Sequence, residues 1–424
     1  MTYQNLFTRS LIVCAGTLTL GCLLAANWPQ WRGPGRDGIS SESGLLTEWP
    51  ADGPKLVWHT DKIGDGYSTP AVVGDRIYLL SNDELENEFI QALDTTDGHQ
   101  IWQTRLGKVG NPDQQPSYPA ARSTPTVDGD FIFALGSDGD LACLETASGK
   151  IVWTKNIRQE FGGEPGVWAY SESPLVDGDR VIVTPGGKDA TLVALNKKTG
   201  DVVWKGAVPE GDAAGYASIV STEVDGHKQY VQFLGKGLVG VDASTGKFLW
   251  RYDRTGKSPA NIPTPVTDEN FVYSGGSRSG SALVQIEKSG ENAFDAKEVY
   301  YDMKLPNVIG GSVHVGDYLY GTTRTEMVCA NFKTGEVKWS EKRGIAPASI
   351  FYADSRLYLH GENGDVALVE ATPDGFRELG KFTPSNPPDR GTSKAWAYPV
   401  VANGRLYIRD MGSLWCYDVK GPAK

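Results

Sequence analysis

The chain is poor in the residues that most often carry chemistry. Its 424 residues include five cysteines and five histidines, and no two of either kind are adjacent. CxxC, HxH and HExxH spacings are absent, which argues against the usual zinc sites. The GxSxG elbow and the P-loop are missing as well. The formal charge is -11 and no Lys/Arg-rich block interrupts it, so a nucleic-acid partner is not expected. Beyond Asn27 no long apolar run occurs that suits a membrane span.

What the chain does have is turns, with 51 glycines and 24 prolines but no collagen-like period. Residues 1–26 read as an export signal: Arg9 precedes an apolar run, Leu11 to Leu24, and Leu24-Ala25-Ala26 offers small residues for cleavage. Thr19-Leu20-Gly21-Cys22 is an imperfect lipobox, which makes Cys22 a candidate for lipidation. The expected location is outside the cytoplasm: periplasmic, tethered to the outer membrane, or extracellular. Any membrane contact would come through that anchor alone.

A repeat dominates the rest. "LACLETASGKIVW" at 141–153 recurs as "IQALDTTDGHQIW" (90–102), "LVALNKKTGDVVW" (192–204), "LVGVDASTGKFLW" (238–250) and "MVCANFKTGEVKW" (327–339). The turn glycines are Gly98, Gly149, Gly200, Gly246 and Gly335, and each precedes a Trp. Upstream of each copy lies a Pro-led strand, a tight turn and a second strand, as in "PAVVGDRIY" (70–78) and "PLVDGDRVI" (174–182). One unit is thus four short antiparallel strands, a to d, and eight units predict an all-β, eight-bladed β-propeller over 54–420. A solenoid or a row of sandwiches is the alternative. Ring closure is favoured because the last copy, "LWCYDVKG", lacks strand d, while an orphan strand d, "PKLVWHT" (54–60), precedes the first copy. Residues 27–53 are left as an N-terminal extension.

The repeated residues read as structural. The acid ending strand c accepts bonds from turn amides, the Gly takes φ > 0, and the Trp packs between blades. Cys143, Cys329 and Cys416 share one repeat position with Ala92, Ala194 and Gly240, and read as buried small residues. Asp128-Gly-Asp130 and Asp177-Gly-Asp179 look like calcium-loop fragments but fall at hairpin turns.

Variable chemistry is expected on the face carrying the d–a connections. The longest of these flank the ring closure and form one arc. Tyr67, Arg122, Glu172 and Trp396 stand near the start of strand a, closest to the axis, with Trp168, Tyr170, Arg390, Lys394 and Tyr398 close by. Aromatics beside charges at a channel mouth suit ligand or partner binding. Each of them can equally serve to pack a long loop onto a blade top.

The repeat resembles that of PQQ-type propellers, a superfamily holding quinoprotein alcohol dehydrogenases and BamB-like assembly lipoproteins. The opening "WPQWRGPGRDGIS" (28–40) is similar to the N-terminal signature of exported members. The resemblance implies either a non-catalytic scaffold that recognises a protein or carbohydrate, or a dehydrogenase using PQQ and calcium. For the second, Trp168 or Trp396 would be a stacking platform and Glu172 a calcium ligand. Asp65, Asp113 or Asp389 would be the base, and Arg122 or Lys394 would stabilise reduced-quinone charge. The adjacent-cysteine pair of those enzymes is missing. A third reading makes Glu172 the acid of a polysaccharide-cleaving site. The scaffold reading leads, with no catalytic residue and no metal ligand assigned.

Overall fold

Every Pro-led run becomes the innermost strand of its own sheet, and eight sheets, two of them without the leading Pro, follow one another around the ring. The computed structural model describes residues 27–114, 118, 121–257, 260–291, 293–342 and 344–422. The expected export signal and Cys22 lie outside those residues. Among those residues one helix, Ile157–Glu160, interrupts the strands. Among the described residues no helix is long and apolar enough to cross a membrane.

The ring closes as the repeat predicts. Lys55–Thr60 pairs antiparallel with Ser413–Asp418, which places Trp58 opposite Cys416. The same register sets Trp102 opposite Ala92, Trp153 opposite Cys143 and Trp339 opposite Cys329. A small residue is needed there because the indole lies across it. Glycine at 240 lets Trp250 turn further inward, and its indole donates to Gln229 Oε1 at 2.7 Å. Arg409 fastens the seam. It is fully buried and donates to the carbonyls of Ser68, Leu80, Gly64, Asp65 and Met411.

Trp and Gly of neighbouring blades form a pair. A Cβ at Gly98 would fall 2.7 Å from Trp58 Cζ3, so the glycine lets the preceding blade's indole lie flat on the turn while φ stands at +76°. The same relation joins Trp102 to Gly149, Trp153 to Gly200 and Trp204 to Gly246. The turn carboxylates and amides act as expected. Asp242 Oδ1 accepts from the amides of Ser244 and Thr245, and Asn331 Oδ1 from those of Lys333 and Thr334.

Residues 27–53 are woven into the ring and do more than extend it. Trp28 bridges Val72 of the first blade antiparallel, and Ile39–Ser40 runs parallel to the inner strand Ala348–Ala353 of the seventh. Between them the chain turns back inside the channel. Its tip is pinned to the wall on several sides. Arg36 donates to the carbonyls of Ser173 and Pro174, Arg32 to that of Ser312, and Trp31 Nε1 to Thr264 Oγ1 at 2.9 Å. Farther on, Trp49 packs against Tyr358 and Phe382, with ring centroids 5.9 and 5.4 Å away. The seventh blade carries Gly380 where the fifth carries Tyr300 and the others the strand-d Trp, and Trp49 fills that place.

Candidate functional site

The hairpin tip closes one end of the channel, and a cavity of about 620 Å³ lies above it. Trp31 and Tyr398 form its floor, their rings edge to face with centroids 4.7 Å apart. The Tyr398 hydroxyl donates to the carbonyl of Ile309 at 2.9 Å. The cavity opens on the face where the d–a and b–c connections emerge.

One wall is aromatic. Tyr67 and Tyr118 both stand 4.9 Å from Trp396, Tyr118 stands 6.4 Å from Trp168, and Trp168 stands 6.1 Å from Tyr216. Interplanar angles of 42° to 54° tilt the rings against one another, so they do not stack face to face. Arg122 ties this wall from behind. It donates to the carbonyl of Trp168 at 2.6 Å and of Tyr118 at 3.3 Å. Burial lowers its pKa, and the Glu88 carboxylate opposes that shift. Burial also pushes the Tyr67 phenol up to about 12, with Ser393 and Arg122 pulling the other way.

Three cations complete the lining. Arg278 and Arg324 come from the b–c turns of the fifth and sixth blades, and Lys394 from the last long d–a connection. All three are exposed, and none has a hydrogen bond or ion pair among the described residues. The one carboxylate of the lining is Glu362, whose Oε1 accepts from Trp396 Nε1 at 3.0 Å. The Ser171 hydroxyl is buried at the wall without a partner.

Of the residues expected at the site, Tyr67, Arg122, Trp168, Lys394, Trp396 and Tyr398 line this cavity. Tyr170, Glu172 and Arg390 do not. Tyr170 packs into the core between blades and donates to the carbonyl of Pro185 at 2.9 Å. Glu172 is buried among neighbours of its own, accepting from the amide of Thr184 and from Gln232 Nε2 at 3.1 Å. Desolvation pushes its pKa up to about 7. Arg390 is held by Asp410, at 2.7 Å from Nε. Sequence reasoning missed Trp31, Tyr118, Tyr216, Arg278, Arg324 and Glu362. Tyr216 had a signal, since it precedes its inner strand by the same interval as Tyr67 and Arg122 precede theirs. The b–c turn residues gave none, because a polar turn is the ordinary end of any hairpin.

The lining does not suit a calcium-bound quinone. Calcium takes six or more oxygen ligands. The lining supplies one carboxylate, already engaged with an indole, and Glu172 lies elsewhere. Asp65, Asp113 and Asp389 do not line the cavity either. The only cluster of metal-binding type among the described residues is Asp94, Asp97 and His99, an exposed turn on the far side of the first blade.

A family model described as outer membrane protein assembly factor BamB matches residues 36–117 and 86–341. The chain belongs to this family. The BamB of Burkholderia pseudomallei is 26% identical over 318 residues, covering 64% of this chain and 77% of that protein. The quinoprotein ethanol dehydrogenase of Pseudomonas aeruginosa is also 26% identical, over 59% of this chain but 45% of the enzyme. The chain therefore spans less than half of that enzyme. The crystal structure of BamB from Moraxella catarrhalis superposes with a TM-score of 0.59 at 16% identity, over 86% of this chain and 99% of that one. A europium-containing methanol dehydrogenase gives 0.67 at 12% identity, over 90% and 89%. Likeness at such identities establishes the shared eight-bladed PQQ-type ring and leaves function to the site.

Proposed function

We propose that this member of the BamB family is an exported, non-catalytic binding propeller that receives its partner on the d–a and b–c face. The observation that carries the reading is the composition of the axial cavity: an aromatic wall, unpaired cations, and one carboxylate committed to an indole. That is a recognition surface with no paired acid and base for proton transfer. Family membership favours a protein partner in assembly at the outer membrane, and a lipid at Cys22 would hold the ring there.

Titration of the purified protein with PQQ and Ca²⁺ tests the non-catalytic part, followed by Trp fluorescence and quinone absorbance. The expected result is no Ca²⁺-dependent, stoichiometric quinone binding and no oxidation of alcohols or sugars. Saturable Ca²⁺-dependent binding accompanied by alcohol oxidation would overturn it.

A further inference from the structure

We propose that the axial cavity binds an acidic saccharide, with its sugar rings against the aromatic wall and its carboxylates on Arg278, Arg324 and Lys394. The inference rests on the binding reading above, and takes a glycan rather than a protein segment as what enters the cavity.

Charge is the first argument. The protein as a whole carries -11, yet the cavity lining holds Arg122, Arg278, Arg324 and Lys394 against Glu362 alone. Arg122 is occupied by two backbone carbonyls, and Glu362 by an indole. The other three cations have no partner among the described residues. Guanidinium groups match the planar carboxylate with paired hydrogen bonds, so the complement is an anion.

Shape and surface chemistry choose among anions. The cavity is blind, closed below by Trp31 and Tyr398, and its volume of about 620 Å³ falls in the range of small-ligand sites. A docked protein segment would need a running groove or a free strand edge for its backbone. Here the inner strand edges of the first and seventh blades are already taken by Trp28 and Ile39–Ser40. Side chains provide the lining: tilted rings and cations. The negative face of an aromatic ring attracts the polarised C–H face of a sugar, while hydroxyls and guanidiniums serve its oxygens.

Isothermal titration of the purified protein with trigalacturonate, the neutral galactose trisaccharide and hexaglutamate tests the assignment. Trigalacturonate is expected to bind at one saturable site, about tenfold or more tighter than either comparator. Its affinity should weaken with added salt. The R278A/R324A double variant should lose about tenfold in affinity with an unchanged unfolding midpoint, because both residues are exposed and unpaired. W168A should weaken both trisaccharides. Hexaglutamate binding as tightly as the uronide would overturn the saccharide in favour of an acidic peptide. No uronide binding at millimolar concentration, or binding indifferent to R278A/R324A, would overturn the site itself. None of these failures restores Ca²⁺-dependent quinone binding, so the two proposals fall separately.

Discussion

The Trp31 indole meets the Tyr398 ring edge to face, with centroids 4.7 Å apart and planes at 72°. The contact joins the N-terminal hairpin to the connection that enters the last blade, and so makes a blind cavity of an open channel. Trp31→Ala removes this packing and the bond to Thr264, and should cost about 2–3 kcal/mol in a denaturant melt. Trp31→Phe keeps the ring contact and should cost about 1 kcal/mol. Equal costs for the two would show that packing on Tyr398 contributes nothing.

Trp49 stands in for the Trp that the seventh blade lacks. It is buried against Tyr358 and Phe382, where the half-buried Trp102 of the first blade packs on Tyr78. Trp49→Ala should destabilise the ring by about 3–5 kcal/mol. It should also expose residues 41–54 to limited proteolysis. A variant that melts like the parent and resists protease would refute the substitution of one Trp for the other.

Gly98 carries two demands and Gly129 one. Both have positive φ, +76° and +61°, but a Cβ at Gly129 points into open space while one at Gly98 meets Trp58. Gly129→Ala should cost about 1–2 kcal/mol from the backbone alone. Gly98→Ala should cost about 1–3 kcal/mol more, for the displaced indole. Chemical denaturation of the two variants side by side measures the difference.

Those pairs explain what could be read in the sequence. Trp58, Trp102, Gly98 and Gly149 recur because every blade solves one packing problem, so blade number, register and ring closure were all legible. The aromatic half of the cavity was legible too, since Tyr67, Trp168 and Trp396 sit in long connections. Of the cationic half only Lys394 was legible, in the last long connection, and the rest was hidden. Arg278 and Arg324 lie in short turns whose sequence says only that a hairpin reverses there, and closing the ring is what brings them to the cavity that Trp168 also lines. Glu172 misled for a related reason. Its place before strand a pointed toward the axis, but hydrogen bonds from Thr184 and Gln232 hold it in the wall.

Glu88 makes stability depend on pH. Burial pushes its pKa up to about 7 from 4.5, against hydrogen bonds from the Ser137 amide and hydroxyl at 2.6 and 2.7 Å. Between those values the folded protein binds more protons than the unfolded chain. Its stability therefore falls as pH rises from about 4.5 to about 7, and levels above. Glu88→Gln keeps an acceptor for the Ser137 amide and should flatten that fall by on the order of 3 kcal/mol. Unfolding free energies of parent and variant at pH 5 and pH 8 check this. A parallel pair of curves would mean that Glu88 stays charged throughout.

The central claim is that the ring works through the face carrying the cavity. It is tested most directly by charge reversal on the two faces in the source organism. R278E/R324E alters the cavity rim. K150E/K198E alters exposed turns on the opposite face. Envelope permeability to a large antibiotic is then measured against strains carrying the parent gene and the deletion. Under the assembly role proposed above the deletion leaks, and the rim pair should then leak as the deletion does, with the protein folded and present at normal level, while the opposite pair should match the parent. A rim pair that matches the parent while the opposite pair leaks would place the working surface on the other side of the ring.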